Sequence, residues 1–448
     1  MAKRSTWALR ILFLVAAIVF VAVQMKLFAV QSDSANRAAA AVDSENDCQS
    51  KMQSLVDKLM TQQGTLMSLE EEKKRLEGQT SELGLVLAEY QRKEQMTSMS
   101  DNLPEDVVAA VVIMTYNRPD YLDRALKSVL KYHKAVADRF PLFVSQDGAD
   151  WTVMSKARSF SQVNYMQHFD EGPPRTAKPG EIIAYYKIAS HYRWALTQLF
   201  NKRKFKRVII LEDDMEIAPD FFKYFEATSH LLDNDRTLLA VSAWNDNGQT
   251  QFVHDSEVLY RSDFFPGLGW MLTKAVWDEL APHWCHTYWD DWLRLNSTRK
   301  GRHFIRPEIC RTYNYGEQGS SFGQFYKQYL EPIKLNDILV DWVSKDLSFL
   351  REEQFDREFG DLVAKAKLVN AMEALQQVKS TENEDVRMEY HTHLDFGHLA
   401  RQFGVFQEWK DGIPRTSYKG VVVFRWKGPK RVFFVRDDSL QLLGINAK

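Results

Sequence analysis

The sequence predicts an α/β fold in which a mainly parallel sheet is flanked by helices. Short apolar segments rich in β-branched residues alternate with helical segments from Val107 onward, a pattern typical of βαβ units. One such segment, residues 207–217, runs from four apolar residues directly into Glu212, Asp213 and Asp214. A buried strand that ends in acids places them at the edge where open α/β sheets bind ligands.

Length, composition and charge narrow the class of protein. The 448 residues predict about two or three folded units, and 45% hydrophobic residues suffice for a large core. A formal net charge of -2 argues against a nucleic-acid partner, which requires clustered Lys and Arg in excess. Three cysteines are too few for a disulfide framework. A Cys285–Cys310 bridge, an interchain bridge at Cys48 and ordinary buried thiols all stay open.

The N-terminus predicts a membrane anchor. Lys3, Arg4 and Arg10 precede an apolar stretch over residues 11–30, about the twenty residues that a bilayer core requires. Because cationic residues stay in the cytosol, the remainder of the chain is expected on the far side of the membrane. A cleaved signal peptide is the alternative, with the alanines at 38–41 as a cleavage site. The length of the apolar stretch favours an uncleaved anchor.

Residues 31–104 are predicted to form a stem. Steps of alternately three and four residues from Met52 to Tyr90 follow a seam that is mostly apolar, which predicts a coiled coil able to pair two chains. Three glycines within the seam region leave a single amphipathic or partly disordered spacer as the alternative. Pro104 ends the segment, because the residue before a proline is pushed out of the helical conformation.

The remaining residues predict a main α/β domain and a smaller α+β subdomain. We predict strands at 107–113, 141–145, 208–211 and 238–242, and helices at 119–131, 182–200, 221–232 and 352–383. Two β-rich runs, 418–426 and 430–436, predict a hairpin across Gly428-Pro429. The predicted units are therefore a cytosolic tail (1–10), an anchor (11–30), a stem (31–104), the main domain (105–345) and a C-terminal subdomain (346–448).

Polar residues follow three of the predicted strands: Arg118 the first, Asp147 the second, and Asp213 with Asp214 the third. In a doubly wound sheet these strand ends converge on one crevice. A cation for phosphate, an acid for a base or ribose, and oxygen-only ligands for Mg²⁺ or Mn²⁺ together suit a nucleoside diphosphate. Any one of these strand ends, taken alone, is better explained as structural.

A second acidic site lies between two tryptophans. In Trp289-Asp290-Asp291-Trp292, aromatic neighbours are expected to raise the pKa of a carboxylate and so improve it as a proton acceptor. A helix N-terminus with core tryptophans explains the same residues equally well. The glycine- and serine-rich segment 316–323 is either a loop that closes over a ligand or a plain connector.

Several longer strings, in this order, resemble the N-acetylglucosaminyltransferase I family. They are Val-Ser-Gln-Asp147, Tyr-Tyr-Lys-Ile-Ala-Ser-His191-Tyr-Arg-Trp-Ala-Leu, Leu-Glu-Asp-Asp214, Val-Ser-Ala-Trp-Asn-Asp-Asn247, Asp-Phe-Phe-Pro-Gly-Leu-Gly-Trp270 and Trp-Asp-Asp-Trp292. The likeness extends from about residue 107 to the C-terminal strands. Strings of this length are far more specific than an isolated Asp-x-Asp motif.

The resemblance implies a GT-A fold in a type II membrane enzyme of the Golgi. Members of this family use Mn²⁺ and invert the anomeric centre. They transfer GlcNAc from UDP-GlcNAc to the α1,3-linked mannose of Man5GlcNAc2, an oligomannose N-glycan on glycoproteins. An animal member has cysteines near the first two strand ends, where this chain has Tyr116 and Gly148. The resemblance therefore implies no cross-bracing disulfide at that place.

The resemblance also implies a role for each candidate site residue. Matched by position, the UDP-sugar contacts are Arg118, Asp147, His191, Asp213 and, from the closing loop, Ser321; Asp214 is the metal ligand and Asp290 the catalytic base. His191 and Ser321 gain these roles from the resemblance alone, because a histidine within a helix and a loop serine are by default ordinary residues.

Two other functions fit parts of the sequence. A related GT-A enzyme that adds GlcNAc to an O-mannosyl glycan would share the donor site. The sequence does not identify the acceptor pocket, so it does not distinguish the two enzymes. A non-catalytic Golgi tether or sugar-binding protein would share the anchor and the coiled coil. A tether does not require two acidic motifs such as Glu-Asp-Asp and Trp-Asp-Asp-Trp, whereas an enzyme does, so the sequence favours an enzyme.

Overall fold

The computed structural model describes residues 2–97, 106–170, 172, 176–177, 180–320, 323, 325–370, 376, 378 and 384–445. It divides into two compact units, Met1–Met99 and Ser100–Lys448. The first unit is one helix, α1 (Ala2–Thr97). Its segment Leu14–Asp33 has a mean hydropathy of 2.0 and is long and apolar enough to cross a membrane, at the position predicted for the anchor.

Further along α1, an apolar seam faces solvent. The seam is formed by exposed side chains spaced by threes, fours and sevens, namely Met52, Leu55, Leu59, Leu66, Leu69 and Leu76. Exposed leucines at this spacing have the arrangement of the core positions of a coiled coil.

The second unit is built on an eight-stranded mixed sheet. The strands of the first part of this unit are β1 (Ala110–Thr115), β2 (Leu142–Asp147), β3 (Val163–His168), β4 (Arg207–Glu212), β5 (Met215–Ile217), β6 (Leu238–Ser242), β7 (Leu259–Ser262), β8 (Trp270–Thr273), β9 (His303–Pro307) and β10 (Thr312–Asn314). The order in the large sheet is β3-β2-β1-β4-β8-β6-β9-β7, while β5 and β10 form a separate antiparallel pair.

The predicted parallel arrangement is confirmed for one half of the large sheet. Strands β3, β2, β1 and β4 are parallel neighbours, whereas β8 pairs antiparallel with both β4 and β6. Strands β4 and β6 thus run in one direction, and β8, which lies between them, runs in the other. The sheet as a whole is therefore mixed.

Helices cover both faces of this sheet. They are α2 (Pro119–His133), α3 (Trp151–Arg158), α4 (Ile183–Thr197), α5 (Phe221–Asn234), α6 (Lys274–Leu280), α7 (Trp289–Arg294) and α8 (Asn296–Arg299). Alternate residues of β1 belong to different cores: Val111 packs with α2 and α5, and Val112 packs with α4. Burial on both faces explains why the predicted strands are unbroken apolar runs.

The C-terminal part forms a second, smaller sheet. Its elements are α9 (Glu352–Lys365), β11 (Lys367–Leu368), β12 (Val386–Tyr390), α10 (His393–Phe403), β13 (Trp409–Lys410), β14 (Ile413–Pro414), β15 (Val421–Arg425), β16 (Arg431–Arg436) and α11 (Ser439–Leu442). The sheet order is β11-β12-β16-β15, and β15 and β16 form the predicted antiparallel hairpin.

The helix predicted over residues 352–383 ends at Lys365 and is interrupted by a strand, while residues 376 and 378 are again helical. Ala366 is extended, and β11 follows it, with the Lys367 N–H donating to the Asp385 carbonyl. Pairing with β12 overrides the helical propensity of this segment. Most of the residues from 371 to 383 lie outside the described part of the chain.

The two cysteines that the structure describes are free thiols. Cys285 is half-buried and Cys310 is buried, so the Cys285–Cys310 bridge is excluded and the interpretation as buried thiols is confirmed. The Cys310 thiol instead accepts a hydrogen bond from the Asn245 N–H at 3.2 Å. The side chain of Cys48 is outside the described residues.

A buried charge pair fixes β10 against the start of α5. Arg311 donates from Nη2 to Oδ2 of Asp220 at 3.1 Å, and neither side chain is exposed to solvent. Asp220 also accepts from Trp342 Nε1 at 2.7 Å and from Asn336 Nδ2 at 2.8 Å. Each carboxylate oxygen of Asp220 therefore has a donor, as a buried charge requires.

We expect Asp220→Ala to lower the free energy of unfolding of the second unit by about 3–5 kcal/mol, because the Arg311 charge would be left buried without its partner. Urea denaturation of the full-length protein in detergent measures this. Asp278→Ala is the control, since Asp278 pairs with Lys274 on the surface and an exposed pair contributes at most about 1 kcal/mol. Similar small losses for both variants would contradict the prediction.

Candidate active site

Four parallel strands bring their carboxyl ends to one edge of the sheet. In the register of the sheet, Met114 of β1 lies opposite Glu212 of β4, and Asp147 of β2 lies opposite His168 of β3. The three predicted strand ends therefore meet in the structure. Strand β3, which the sequence pattern did not predict, adds His168 as a fourth.

The acidic triplet Glu212, Asp213 and Asp214 lies at the end of β4, with Glu212 half-buried and both aspartates buried, and neighbouring elements contact it. Arg118 Nη2, at the start of α2, donates to Asp213 and, at 3.0 Å, to Asp214 Oδ2. Thr115 donates from its hydroxyl to Asp213 Oδ2 at 2.7 Å. Asn314 of β10 donates from Nδ2 to Asp214 Oδ1 at 2.9 Å. The pair β5–β10 thus supplies the donor that orients the last acid.

Burial raises the pKa of two carboxylates of the triplet. Desolvation raises the pKa of Asp213 to about 6, against the lowering effect of the Arg118 charge. Desolvation and the neighbouring Asp214 raise the pKa of Glu212 to about 7, although Glu212 accepts a hydrogen bond from the Tyr192 hydroxyl at 2.7 Å. One guanidinium thus accompanies three carboxylates, and the cluster retains an excess of negative charge.

The donor set at this cluster suits a hard divalent cation. All of its ligating atoms are oxygens, which Mg²⁺ and Mn²⁺ prefer. Gly316 lies so close to Asp214 that any β-carbon at position 316 would collide with the carboxylate. Only glycine at position 316 leaves room for the Asp214 carboxylate in its observed position. The oxygen atoms of this cluster are suitable ligands for a divalent cation.

A second group of possible ligands lies at the ends of β2 and β3. Ligand atoms of Asp147, His168 and Asp170 all lie within 4.8 Å of one another. His168 Nδ1 and Asp147 Oδ1 are 2.7 Å apart. This mixed imidazole and carboxylate set also suits a divalent metal, so two places at the same edge of the sheet could hold one.

His191 is buried directly behind this second group. Its ring stacks on His168 with centroids 5.5 Å apart, and its Nε2 lies 2.8 Å from the Ser145 hydroxyl. Desolvation lowers the pKa of His191 to about 3. The imidazole is therefore neutral at physiological pH and can hydrogen-bond a polar ligand without adding charge.

The acids of α7 lie in the first turn of that helix. The Arg294 Nη1 donates to Asp290 Oδ2 at 2.8 Å and to Asp291 Oδ1 at 2.7 Å, and Lys410 Nζ lies 3.1 Å from Asp291 Oδ2. Burial raises the pKa of Asp291, but Arg294 and Lys410 outweigh it and hold that pKa below its usual range. The expected rise in pKa is therefore wrong for Asp291.

The flanking tryptophans explain this result. Trp289 stacks on Tyr192, with ring centroids 4.3 Å apart, and on Trp270, while Trp292 packs against Trp284. Both indoles fill core, so cations rather than aromatic rings surround the carboxylates. The acids thus lie in the first turn of a helix and the tryptophans pack into the core, as the alternative expects, while the role of the acids stays a prediction.

Tyr192 connects the two acidic sites. Its hydroxyl donates to Glu212 of the triplet, and its ring stacks on Trp289 next to Asp290. Because Tyr192 is buried within α4, it fixes α7 relative to the end of β4. Both acidic sites therefore belong to one rigid part of the molecule.

The segment 316–320 lies against the triplet. The Gln318 carbonyl accepts from Arg118 Nη1 at 2.9 Å, and the Ser320 carbonyl accepts from the Tyr185 hydroxyl at 3.2 Å. Tyr185 in turn packs on Tyr288, which precedes α7. Ser321 itself lies outside the described residues.

Three residues of the site were not found from the sequence. His168 is the last residue of β3, whose sequence Val-Asn-Tyr-Met-Gln-His mixes apolar and polar residues without strict alternation and gives only a weak strand signal. Asn314 lies at the end of a three-residue strand, and Lys410 comes from the C-terminal subdomain. Neither of the last two carries a local signal, because each reaches the site through tertiary packing.

Comparison with known proteins shows which family the chain belongs to. A model of the GNT-I family matches residues 14–447. The protein from Arabidopsis thaliana called alpha-1,3-mannosyl-glycoprotein 2-beta-N-acetylglucosaminyltransferase is 53% identical over 443 residues, which cover 99% of this chain and 99% of the relative.

Two solved structures overlap with parts of the chain. The mannosyltransferase PcManGT from Pyrobaculum calidifontis, in complex with GDP-Man and Mn2+, has 16% identity and a TM-score of 0.30, over 52% of this chain and 65% of its own. TarS from S. aureus, in complex with UDP-GlcNAc, has 12% identity and a TM-score of 0.32, over 65% and 71%. The assignment depends on the whole-chain matches instead, and by these the chain belongs to the GNT-I family.

Proposed function

We propose that this protein is an inverting glycosyltransferase of GT-A type that moves GlcNAc from UDP-GlcNAc to the α1,3-arm mannose of Man5GlcNAc2 in β1,2 linkage. This reaction on glycoproteins begins hybrid and complex N-glycans. The observation that carries the proposal is the 53% identity to the Arabidopsis thaliana enzyme over 99% of both chains. The convergence of polar strand ends beside a separate carboxylate pair supports it.

The donor nucleotide is proposed to lie across the carboxyl ends of β1, β2 and β4. Arg118 offers a guanidinium to phosphate oxygens, and Asp147 offers an acceptor to an N–H of the base or a hydroxyl of the ribose. The neutral His191 supports that end of the pocket through Ser145. Asp213 holds Arg118 in place, and Ser321 is proposed to reach the donor from the adjoining loop.

Asp214 is proposed to hold Mn²⁺, because its carboxylate is oriented by Asn314 and lies in a cluster with excess negative charge. Bound Mn²⁺ supplies positive charge that stabilises a departing diphosphate. Asp213 and Arg118 form the rest of this charged group. The cluster of Asp147, His168 and Asp170 is the alternative location for the cation.

Asp290 is proposed as the general base. One displacement inverts the anomeric centre, so a single carboxylate must take the proton from the attacking mannose hydroxyl. Arg294 binds Oδ2 of Asp290, and within the described residues Oδ1 has no hydrogen bond or ion pair. Asp290 is therefore oriented by one oxygen and has the other available to accept a proton, whereas both oxygens of Asp291 are engaged by cations.

The N-terminal helix is proposed to place the enzyme in the Golgi membrane. Residues 1–10 form the cytosolic tail, 11–30 the anchor and 31–104 the stem, with the catalytic domain (105–345) and C-terminal subdomain (346–448) in the lumen. The basic residues before the anchor support this orientation. The exposed seam of α1 supports a coiled-coil homodimer through the stem.

Asp290→Asn is expected to lower kcat by about 10²–10⁴-fold, because an amide cannot accept the proton. The affinity for UDP measured by calorimetry should not change. Asp291→Asn serves as the matched control and should lose far less activity, since its carboxylate is already paired. Near-normal turnover of Asp290→Asn would contradict the assignment of the base.

Asp214→Ala is expected to abolish the Mn²⁺-dependent part of UDP-GlcNAc binding, because no other carboxylate of the triplet is oriented by Asn314. Calorimetry with and without EDTA measures this dependence. A separate transfer assay of the parent protein, with Man5GlcNAc2 and with an O-mannosyl glycan, shows which of the two is the acceptor. Asp170→Asn is the comparison variant. If Asp170→Asn removes the Mn²⁺ dependence and Asp214→Ala keeps it, the cation lies in the alternative cluster.

A stem dimer should depend on the seam of α1. We expect the full-length protein in detergent to sediment as a dimer, and Leu59→Asp with Leu66→Asp to convert it to a monomer, because charges in a coiled-coil core prevent pairing. Met60→Asp with Met67→Asp changes equally exposed residues outside the seam and should leave the dimer intact. A monomeric parent protein would contradict this proposal.

A further inference from the structure

The C-terminal subdomain presents a lysine to the acids of α7. Lys410 lies in the hairpin of β13 and β14, whose two-residue turn has positive φ at Asp411 and Gly412. Turns of this type have a backbone twist that matches the strands they join, so the hairpin is rigid. Its Lys410 therefore has a defined position on the surface that faces α7.

The hairpin is fixed from both sides. Trp409 packs edge-on against Tyr390 and Phe396 in the core of the C-terminal subdomain. The Asp411 carboxylate accepts from the Asn296 N–H at 3.2 Å, at the start of α8. Because α8 follows α7 directly, the hairpin and the acids are held together by contacts other than the lysine itself.

Charge is divided unequally between the two acids. Lys410 Nζ binds Oδ2 of Asp291, and Arg294 binds its Oδ1. Arg294 also binds Oδ2 of Asp290, which has 43% of its side chain exposed. With Lys410 in place, two cations serve the two carboxylates. Arg294 therefore does not have to neutralise Asp291 alone and can also bind Asp290.

We propose that Lys410 is a positioning residue that neutralises Asp291, so that Arg294 remains available to orient Asp290 as the base. This inference rests on the proposed function. Without Lys410, Asp291 would have an unpaired oxygen and Arg294 would be the one cation for both acids. The uncompensated negative charge beside Asp290 would make the base easier to protonate.

Other charged and titratable groups face this pair. Arg294 comes from α7 itself, and the phenols of Tyr185 and Tyr192 come from α4. Cys285 and Tyr288 lie in the segment before α7. The hairpin adds Glu408, whose Oε1 lies 3.8 Å from Lys410. Asp246 also acts on the charge of Arg294, and Arg415 pairs with both Asp246 and Glu408. Within the described residues, Lys410 and Arg294 are the two cations that pair with the acids directly, so loss of Lys410 removes half of that positive charge.

The test is the pH dependence of kcat for the full-length enzyme in detergent, with saturating UDP-GlcNAc, Mn²⁺ and Man5GlcNAc2. The base must be ionised, so activity is lost as the pH falls. For Lys410→Met we expect this loss to begin at a pH higher by roughly 0.3–0.7, the size of effect that a partly exposed charge pair produces. Lys410→Arg keeps the charge and should restore the parent profile.

Two further variants isolate the route of the effect. In an Asp291→Asn background, Lys410→Met should produce no further shift, because Lys410 acts through Asp291. Lys345→Met is the control. Lys345 is similarly exposed, and its Nζ lies 2.7 Å from Glu257 Oε2, in an ion pair that does not involve the hairpin. Its profile should match the parent, and thermal unfolding checks that each variant is folded.

The possible results separate this inference from the proposed function. An unchanged profile for Lys410→Met, or an equal shift in the Asp291→Asn background, overturns the role of Lys410 while leaving Asp290 as the base. Full turnover of Asp290→Asn overturns the base itself. A shift that needs both Lys410 and Asp291, together with an inactive Asp290→Asn, supports both.

Discussion

The arrangement of this molecule depends on a cluster of three carboxylates at one strand end, two of which pair with the Arg118 guanidinium. Glu212, Asp213 and Asp214 lie at the end of a central strand, where burial raises the pKa of Glu212 and that of Asp213. Each is stabilised by a donor from a different element: Tyr192 from α4, Arg118 from the start of α2, and Asn314 from β10. These donors reach the triplet only if the helices and the β5–β10 pair are positioned as observed. The electrostatics of one strand end therefore constrains most of the surrounding fold.

The same constraint separates binding from reaction. The triplet retains negative charge, which suits it for the proposed cation, while the neighbouring Arg118 suits the proposed diphosphate. Asp290 is half-exposed, is oriented through one oxygen by Arg294, and lies in a different helix. Tyr192 joins the two places, since its hydroxyl binds Glu212 and its ring packs on Trp289. If the proposed roles hold, this link would keep the two substrates in a fixed relation, which is a large part of catalysis.

Much of the donor side could be predicted from the sequence, because it depends on local patterns. Strand β4 and the polar residues after β1 and β2 follow from unbroken apolar runs and from the rule that parallel strands end at one edge. Strand β3 was missed because its partly exposed face weakens the apolar signal. The reversal of β8 was missed because strand direction is a property of the chain connection and leaves no mark on composition.

The Lys410 contact with Asp291 joins residues that are far apart in the chain, and this has a consequence for biosynthesis. A nascent chain acquires Arg118 and the triplet early, Asp290 later, and Lys410 almost last. Domains fold largely in the order in which they are synthesised. The contacts between Arg118 and the acidic triplet can therefore form before the β13–β14 hairpin has been synthesised. The acid pair of α7 gains its second cation only when the C-terminal subdomain docks. Synthesis of the chain end thus completes the charge balance of the reactive carboxylates, and incomplete chains lack it.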